Sequence, residues 1–181
     1  MKTKKMKKWI CVMLALLCVL SLGACGQKKE EKKEVSLSEI HQAVKDAYGE
    51  DYLPSMELDA ATLSDVIGLK EDMYDEVIAE GPMISAHIDM FIAVKAAEGQ
   101  GDAVEEALNA YRDYQINDAL QYPLNMVKIQ ASQVVRHGDY VFFVILGNVS
   151  SEAEEQGDEA ILKEAEAGVK IGVDTINSFF E

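Results

Sequence analysis

The sequence predicts an α+β fold, with an antiparallel sheet of about four strands and helices packed mainly on one face of it. Two observations carry this prediction. Segments with strand periodicity alternate with amphipathic helical segments over residues 36–181, and the last two strands are joined by a tight turn. Hairpin-linked strands with helices between them are typical of an α+β sandwich.

The first predicted element is a helix near residues 37–48. Ser36 and Glu39 have the S-x-x-E spacing of a capping box, and apolar residues recur on one face of the segment that follows. Gly49 is a stop signal for this helix.

A first strand is expected at residues 74–79, after a largely irregular stretch. That stretch covers residues 49–72, where Pro54 and many acidic side chains disfavour regular structure apart from a short helical turn at residues 62–67. The Gly81–Pro82 turn ends the strand.

The second strand has the clearest periodicity in the chain. Over residues 84–94 every second side chain is apolar, which predicts a strand with one buried face. On its other face polar residues give way to Phe91, so the strand is expected to run from an exposed end into a covered centre. Glycines follow it, and a helix is expected over residues 102–121, where Pro123 stops it.

A hairpin and a C-terminal helix complete the predicted fold. Residues 127–136 alternate between apolar and polar side chains, which indicates a strand with one solvated face. Residues 137–139, HGD, form the predicted turn. The return strand at residues 140–146, YVFFVIL, is apolar on both faces, so it is expected to be central in the sheet. A helical region is predicted over residues 151–180.

A basic and apolar leader is the most specific signal in the chain. Five lysines are followed by a 15-residue apolar run from Trp9 to Gly23, which is the order found in a secretory signal peptide. A transmembrane anchor is the alternative, but it needs about 20 apolar residues. The sequence Leu22-Gly23-Ala24-Cys25 closely resembles the lipobox of bacterial lipoproteins.

The lipobox resemblance implies three segments. A signal peptide at residues 1–24 is cut between Ala24 and Cys25, and the Cys25 thiol receives a diacylglycerol. Two acyl chains give stable anchoring, so the protein is expected on the extracytoplasmic face of the cell membrane. Residues 25–35 form the lipidated cysteine and a charged tether, and residues 36–181 form a single α+β globular domain.

The composition limits the classes of function. The 181 residues include 17 Lys and Arg against 32 Asp and Glu, a formal net charge of -15. Nucleic-acid phosphates must be neutralised by basic side chains, so this balance disfavours nucleic acid as a partner. The other cysteines, Cys11 and Cys18, lie in the leader. The folded domain therefore has no thiol for a disulfide, a metal or a nucleophile.

The best candidate ligand surface is a polar group at the start of the predicted second strand. Ser85, His87 and Asp89 share one strand face, although an ordinary solvated strand end explains the same residues. No catalytic motif or close histidine spacing is present, so no catalytic residue, metal or cofactor is assigned. Acidic side chains cluster at residues 50–80 and 152–166, and their carboxylate oxygens are the kind of ligand that calcium binds. The clusters lack the D-x-[DN]-x-[DN]-G pattern of a calcium-binding loop, however, and they are also typical of a solubilising surface.

Residues 83–147 resemble the Gram-positive bacterial lipoproteins that carry domain of unknown function 4358. The resemblance rests on the strand IDMFIAVKA, the helix VEEALNAYRDYQI and the hairpin VKIQASQVVRHGDYVFFVILG. It implies an exported, lipid-anchored envelope domain with no established activity, and it assigns no functional residues.

We therefore expect a lipid-anchored envelope protein that is not an enzyme. Its acidic domain is expected to bind another extracytoplasmic component, with a protein as the first candidate. The alternatives are a receptor for a small ligand or a cation and, third, an accessory to cell-wall modification. Each alternative predicts a different observation: ligand-dependent thermal shifts for a receptor, and turnover of a wall polymer for an enzyme.

Overall fold

The computed structural model describes residues 34–84 and 86–181. The predicted signal peptide, the lipidated Cys25, most of the tether and Ser85 therefore lie outside the described residues. Residues Val35–Glu181 form one compact unit. The unit begins one residue before the predicted domain boundary, because Val35 is buried and its N–H donates to the Tyr140 hydroxyl at 3.1 Å. None of the described helices has the length and apolar character needed to cross a membrane.

An antiparallel sheet of five strands forms the centre of this unit. In chain order the strands are β1 (Met56–Glu57), β2 (Tyr74–Gly81), β3 (Met90–Ala96), β4 (Gln133–His137) and β5 (Tyr140–Ile145). Their spatial order is β1-β2-β3-β5-β4, and every neighbouring pair is antiparallel. The sequence prediction of a buried return strand is confirmed, because all six residues of β5 are buried and the strand has a partner on each side.

Helical segments connect and cover the strands. They are α1 (Leu37–Tyr48), α2 (Ala60–Thr62), α3 (Gly101–Asn117), α4 (Pro123–Lys128), α5 (Ser151–Gln156) and α6 (Asp158–Asn177). Helix α2 continues as a π-helix over Leu63–Ile67, and short 3-10 turns lie at Gly49–Asp51, Glu71–Met73 and Ile129–Ala131. One of the two hydrogen bonds of the capping box predicted for α1 is present, since the Ser36 hydroxyl accepts the Glu39 N–H at 3.3 Å.

The α+β class and the antiparallel pairing are confirmed, but helices cover both faces of the sheet rather than mainly one. Helices α1 and α6 pack on Phe91 and Phe142 on one face. Helix α3 and the π-helix pack on Ile92 and Phe143 on the other. The cause is the sequence of β3 and β5, whose alternate residues are apolar on both faces, so that each face has to be covered.

Two segments predicted as strand have a different structure. Residues 84 and 86–89 belong to no strand, and β3 begins only at Met90, because its neighbour β5 ends at the paired residue Ile145. Residues 127–131 belong to α4 and the 3-10 turn after it. Pro123 occupies a first-turn position of α4, where its fixed φ angle favours helix, and this local preference overrides the alternating pattern that follows.

Candidate functional site

A cleft opens at the end of the sheet where β3 begins and β5 ends. Its volume is about 200 Å³, and it lies on the face that α3 covers. The apolar part of its lining consists of Pro82, Ile88, Met90, Ile129, Phe143 and Ile145. The remaining lining residues are His87, Tyr111, Gln115 and Gln121, so no Asp, Glu, Lys or Arg lines the cleft.

Neutral hydrogen-bonding groups form the α3 side of the cleft. Gln121 donates from Nε2 to Oε1 of Gln115 at 2.6 Å. The Tyr111 ring meets Phe143 edge to face, with centroids 5.6 Å apart. Burial, followed by the proximity of Tyr114, raises the pKa of Tyr111 to about 12, so its phenol is protonated at neutral pH. Amides and a phenol can bind a peptide backbone but bring no charge to the cleft.

Large apolar side chains are exposed on the segments that frame the cleft. We call them the apolar rim: Met83, Ile84, Tyr114, Leu120, Tyr122 and Met126. Met83 follows the lining residue Pro82, and Leu120 and Tyr122 flank the lining residue Gln121. Nine large hydrophobic side chains are exposed in the described part of the chain, and six of them belong to this rim. Such a concentration is typical of interaction surfaces, whereas single exposed apolar residues are ordinary.

A buried ion pair joins two segments that carry half of the rim residues. Lys128 Nζ donates to both carboxylate oxygens of Asp89 at 2.8 Å, and the exposed fractions of the two side chains are 7% and 1%. The buried Asn125 donates from Nδ2 to the carbonyl oxygen of Ala86 at 3.1 Å. Asp89 ends the segment of residues 86–89 that leads into β3 and Lys128 ends α4, so these contacts fix that segment against the helix.

Buried polar side chains occur only at this end of the sheet among the described residues. They are Asp89, Asn125, Lys128 and Ser132. Removing two charges from water costs several kcal/mol per ion, and apolar replacements are often as stable, so the pair is not explained by stability alone. In most proteins charged side chains are exposed and large apolar side chains are buried. At this end of the sheet the arrangement is reversed, and such departures are expected at functional sites.

The structure separates the residues that the sequence placed on one strand face. His87 is exposed and lines the cleft, whereas Asp89 is buried and bound by Lys128. Ser85 lies outside the described residues. His87 remains a candidate ligand contact, but Asp89 has a positioning role instead. Lys128 was missed because residues 127–136 were predicted as a strand with Lys128 on its solvated face, and Asn125 was not placed in any predicted element; a lone lysine within NMVKIQA was the available signal.

Comparison with protein families places the cleft within a matched segment. The family described as a domain of unknown function (DUF4358) matches residues 47–146, more than half of the chain. The chain belongs to this family. Every residue of the cleft, of the apolar rim and of the Asp89–Lys128 pair lies in the matched segment of this DUF4358 protein. Comparison with curated proteins and with solved structures gives no match.

A second polar cluster of the DUF4358 protein lies on the opposite face of the sheet. Glu80 Oε2 is 3.0 Å from His41 Nε2 and 3.6 Å from Lys45 Nζ, and it accepts the Tyr52 hydroxyl at 3.0 Å. The His41 ring stacks on Phe91 with centroids 5.5 Å apart. Burial, followed by the Glu80 carboxylate, raises the pKa of Tyr52. These groups bind one another, so the cluster is explained as a set of contacts that holds α1 against β2. His41 and Lys45 also precede the segment that matches the family.

Larger grooves of the DUF4358 protein are lined in part by charged side chains, most of which already have partners. The groove between α3 and α6 has a volume of about 440 Å³. Within it Lys170 binds Asp174 at 2.7 Å, and Arg112 donates from Nε to the carbonyl oxygen of Ser132 at 2.8 Å. In the part of the chain that the structure describes, no group of three or more His, Cys, Asp or Glu could hold a metal ion. The cleft is therefore the best candidate site.

Proposed function

We propose that this protein is a lipid-anchored, extracytoplasmic and non-enzymatic binding module that docks an apolar segment of another envelope protein at the cleft and its apolar rim. The single observation that carries the proposal is the exposure of six large apolar side chains around a cleft whose described lining contains no Asp, Glu, Lys or Arg. The lipobox-like sequence ending at Cys25 supports the location.

The size of the cleft favours a protein partner over a free small molecule. Sites for small ligands usually have volumes of about 300–1,000 Å³ and enclose most of the ligand. The cleft, at about 200 Å³, is smaller. It suits one anchoring side chain, and the surrounding rim would exclude water from that contact, as in the energetic centres of protein interfaces.

The lining supports a binding role more than a catalytic one. Acid–base catalysis needs a group that is poised near neutral pH and within hydrogen-bond reach of a partner or substrate. Tyr111 is held protonated, and no carboxylate lines the cleft to pair with His87. The glutamine side chains and the Tyr111 hydroxyl suit the amide groups of a peptide.

Crosslinking in native membranes tests the proposal. Full-length protein is crosslinked, purified and identified with its partners by mass spectrometry, beside the variants Leu120→Asp and Tyr122→Asp. We expect a stoichiometric protein partner with the unchanged protein and its loss with both variants. Ile171→Asp is the matched control, because Ile171 is also an exposed apolar residue but lies on α6, away from the rim.

Two results would contradict the proposal. One is capture of the same partner by the rim variants, which would move the interface elsewhere. The other is turnover of a wall polymer by the purified protein that Leu120→Asp abolishes, which would make the cleft a catalytic site.

A further inference from the structure

We infer that Met83 and Met126 of the apolar rim are oxidation sites, and that a peroxide which converts them to methionine sulfoxide releases the docked segment. The inference rests on the proposed docking function and adds a chemical modification that controls it. Its basis is where the methionines of the folded domain lie and how exposed each of them is.

Methionines are concentrated at the cleft end of the sheet. Residues 34–181 contain five methionines, at positions 56, 73, 83, 90 and 126. Met90 lines the cleft, and Met56 pairs with Gly81, next to the lining residue Pro82. Met73 is the exception, because it directly precedes β2 where that strand pairs with the last residue of β3, at the opposite end of the sheet. With the two rim residues, four of the five methionines therefore lie at the cleft end.

The two methionines of the rim are the most exposed of the five. The exposed fractions of Met83 and Met126 are 72% and 57%, against 48% for Met56, and the other two are half-buried. Met126 lies three residues before the lining residue Ile129, so the two share one side of α4 and its 3-10 continuation. Two accessible thioethers therefore lie on the surface where the partner segment is proposed to dock.

The methionine at the opposite end is better protected. Met73 is half-buried, and its Sδ accepts the Lys70 N–H at 3.3 Å. An oxidant reacts with a lone pair of the sulfur, and at Met73 one lone pair already takes part in this hydrogen bond. Residues 34–181 contain no cysteine, so no thiol of the domain competes for the oxidant. The rim thioethers are therefore its most accessible sulfur atoms.

The oxidation transfers one oxygen atom from the peroxide to the sulfur. With hydrogen peroxide, the O–O bond breaks, an S–O bond forms, and the second oxygen leaves as water with both protons. The sulfur is oxidised by two electrons and the peroxide is reduced by two. The product is a polar side chain in place of a flexible apolar one, which disrupts methionine-rich interfaces, and sulfoxide reductases reverse the change.

A sulfoxide on the rim opposes docking because docking removes the rim from water. The segment proposed to dock is apolar, so it has no side-chain donor for the new S–O group. Burying a polar group without a hydrogen-bond partner weakens the affinity by about tenfold for each group. Oxidation of both Met83 and Met126 should therefore release the segment.

Peroxide treatment of the full-length protein in native membranes tests the inference. The membranes are treated with hydrogen peroxide, the peroxide is removed, and each sample is divided. One half is digested, and mass spectrometry gives the extent of oxidation at each methionine. The other half is crosslinked, and the amount of the partner that the untreated protein captures is measured. We expect Met83 and Met126 to be oxidised several times faster than Met73, and capture to fall by at least about tenfold when both are sulfoxides.

Leucine variants identify the methionines that are responsible. Met83→Leu, Met126→Leu keeps the rim apolar but cannot be oxidised at these positions. The readout is the ratio of capture after treatment to capture before it, so a difference in starting affinity does not enter. We expect this ratio to stay near one for the leucine variant and to fall for the matched control Met73→Leu. Added sulfoxide reductases should restore capture by the unchanged protein.

The outcomes separate this inference from the proposed function. If the untreated protein captures no stoichiometric partner, both are overturned. Capture that persists after Met83 and Met126 are oxidised would overturn the inference alone and leave docking in place. An equal loss of capture by the leucine variant would also overturn it, because oxidation of the partner or of another residue would then be the cause. Oxidation of Met73 before the rim methionines would overturn it as well.

Discussion

Charged side chains are paired at the surface at one end of the sheet and in the interior at the other. At the end where β4 turns into β5, Arg136 binds Asp102 and Glu105 at the surface, with an Arg136 to Glu105 distance of 2.9 Å. At the cleft end, Asp89 and Lys128 are paired in the interior. The chain has many surface carboxylates with which a lysine could pair while exposed to water. The burial of the Asp89–Lys128 pair is therefore specific to the cleft end and is not a consequence of the composition.

Apolar side chains are packed against neighbours at one end of the sheet and exposed at the other. At the turn end Phe180 is half-buried, with its ring stacked on His137 at a centroid distance of 4.3 Å and close to Tyr140 at 5.4 Å. At the cleft end the apolar rim is exposed, and Leu120 has an exposed fraction of 103%. The turn end has the arrangement expected of a domain that only has to fold. The difference is the one expected if the cleft end contacts another molecule, as proposed above.

The largest expected effect is on the free energy of unfolding when the buried pair is broken. Lys128→Met leaves the Asp89 carboxylate buried without its cation, and we expect a loss of about 3–5 kcal/mol. Urea denaturation followed by circular dichroism measures it. The double variant Asp89→Asn, Lys128→Met should recover a large part of the loss, because the uncompensated charge is then gone. A loss for Lys128→Met that is no larger than for Arg136→Met would refute the contrast between the ends.

An intermediate effect is expected at Tyr48, on the opposite face at the cleft end. Its hydroxyl donates to the carbonyl oxygen of Gly168 at 2.6 Å and accepts the Gly172 N–H at 2.9 Å. Tyr48→Phe leaves both backbone groups without this partner, and we expect a loss of about 1–3 kcal/mol in the free energy of unfolding. Thermal unfolding at neutral pH measures it, with Tyr122→Phe at the exposed rim as the control.

The same tyrosine predicts a dependence of stability on alkaline pH. Burial raises the pKa of Tyr48 from 10.0 to about 12, and the nearby Asp89 charge adds to the shift. Because the folded pKa is higher than the unfolded one, the contribution is complete below pH 10 and is lost as the pH rises from 10 to about 12. Tyr48→Phe should flatten this part of the unfolding profile. An unchanged profile would show that the hydroxyl is not the titrating group.

A small effect is expected at the turn end. Arg136→Met removes a surface interaction with Asp102 and Glu105, and exposed ion pairs contribute about 0–1 kcal/mol. Its effect on stability should also fall with added salt, whereas the effect of Lys128→Met should not. Urea denaturation at low and high ionic strength compares the two variants. A salt-sensitive effect at Lys128 would mean that water reaches the pair.

Sequence reasoning succeeded where local signals and burial agree. The Ser36 cap, the turn at residues 137–139 and the run YVFFVIL each indicate one structure, and the fold contains all three. The failures lie at the cleft end. The sequence of residues 84–89 alternates like a strand, but its described residues have no strand to pair with, and residues 127–131 alternate but follow a proline that starts a helix.

The candidate site was harder to predict than the fold because its parts are distant in sequence. Asp89 and Lys128 lie 39 residues apart, and no spacing rule relates them. His87 was singled out and does line the cleft, but its role was assigned together with Asp89, which the structure places in the interior. Exposed apolar residues such as Leu120 and Met126 carry no signal in sequence, since the same residue types form the cores.

The smallest expected effect on stability, with the largest effect on binding, is at Leu120. Its side chain is fully exposed, so Leu120→Asp removes no packing and should change the free energy of unfolding by less than about 0.5 kcal/mol. If the rim is a docking surface, the same substitution should abolish capture of the partner, because a charge would then be buried at the interface. Leu108→Asp is the opposite case, since Leu108 lies on the buried face of α3 and its substitution should unfold the domain. Denaturation and crosslinking on the same preparations separate the two effects. A stability loss at Leu120 comparable to that at Leu108 would mean that the rim is packed in solution and that the two ends of the sheet do not differ.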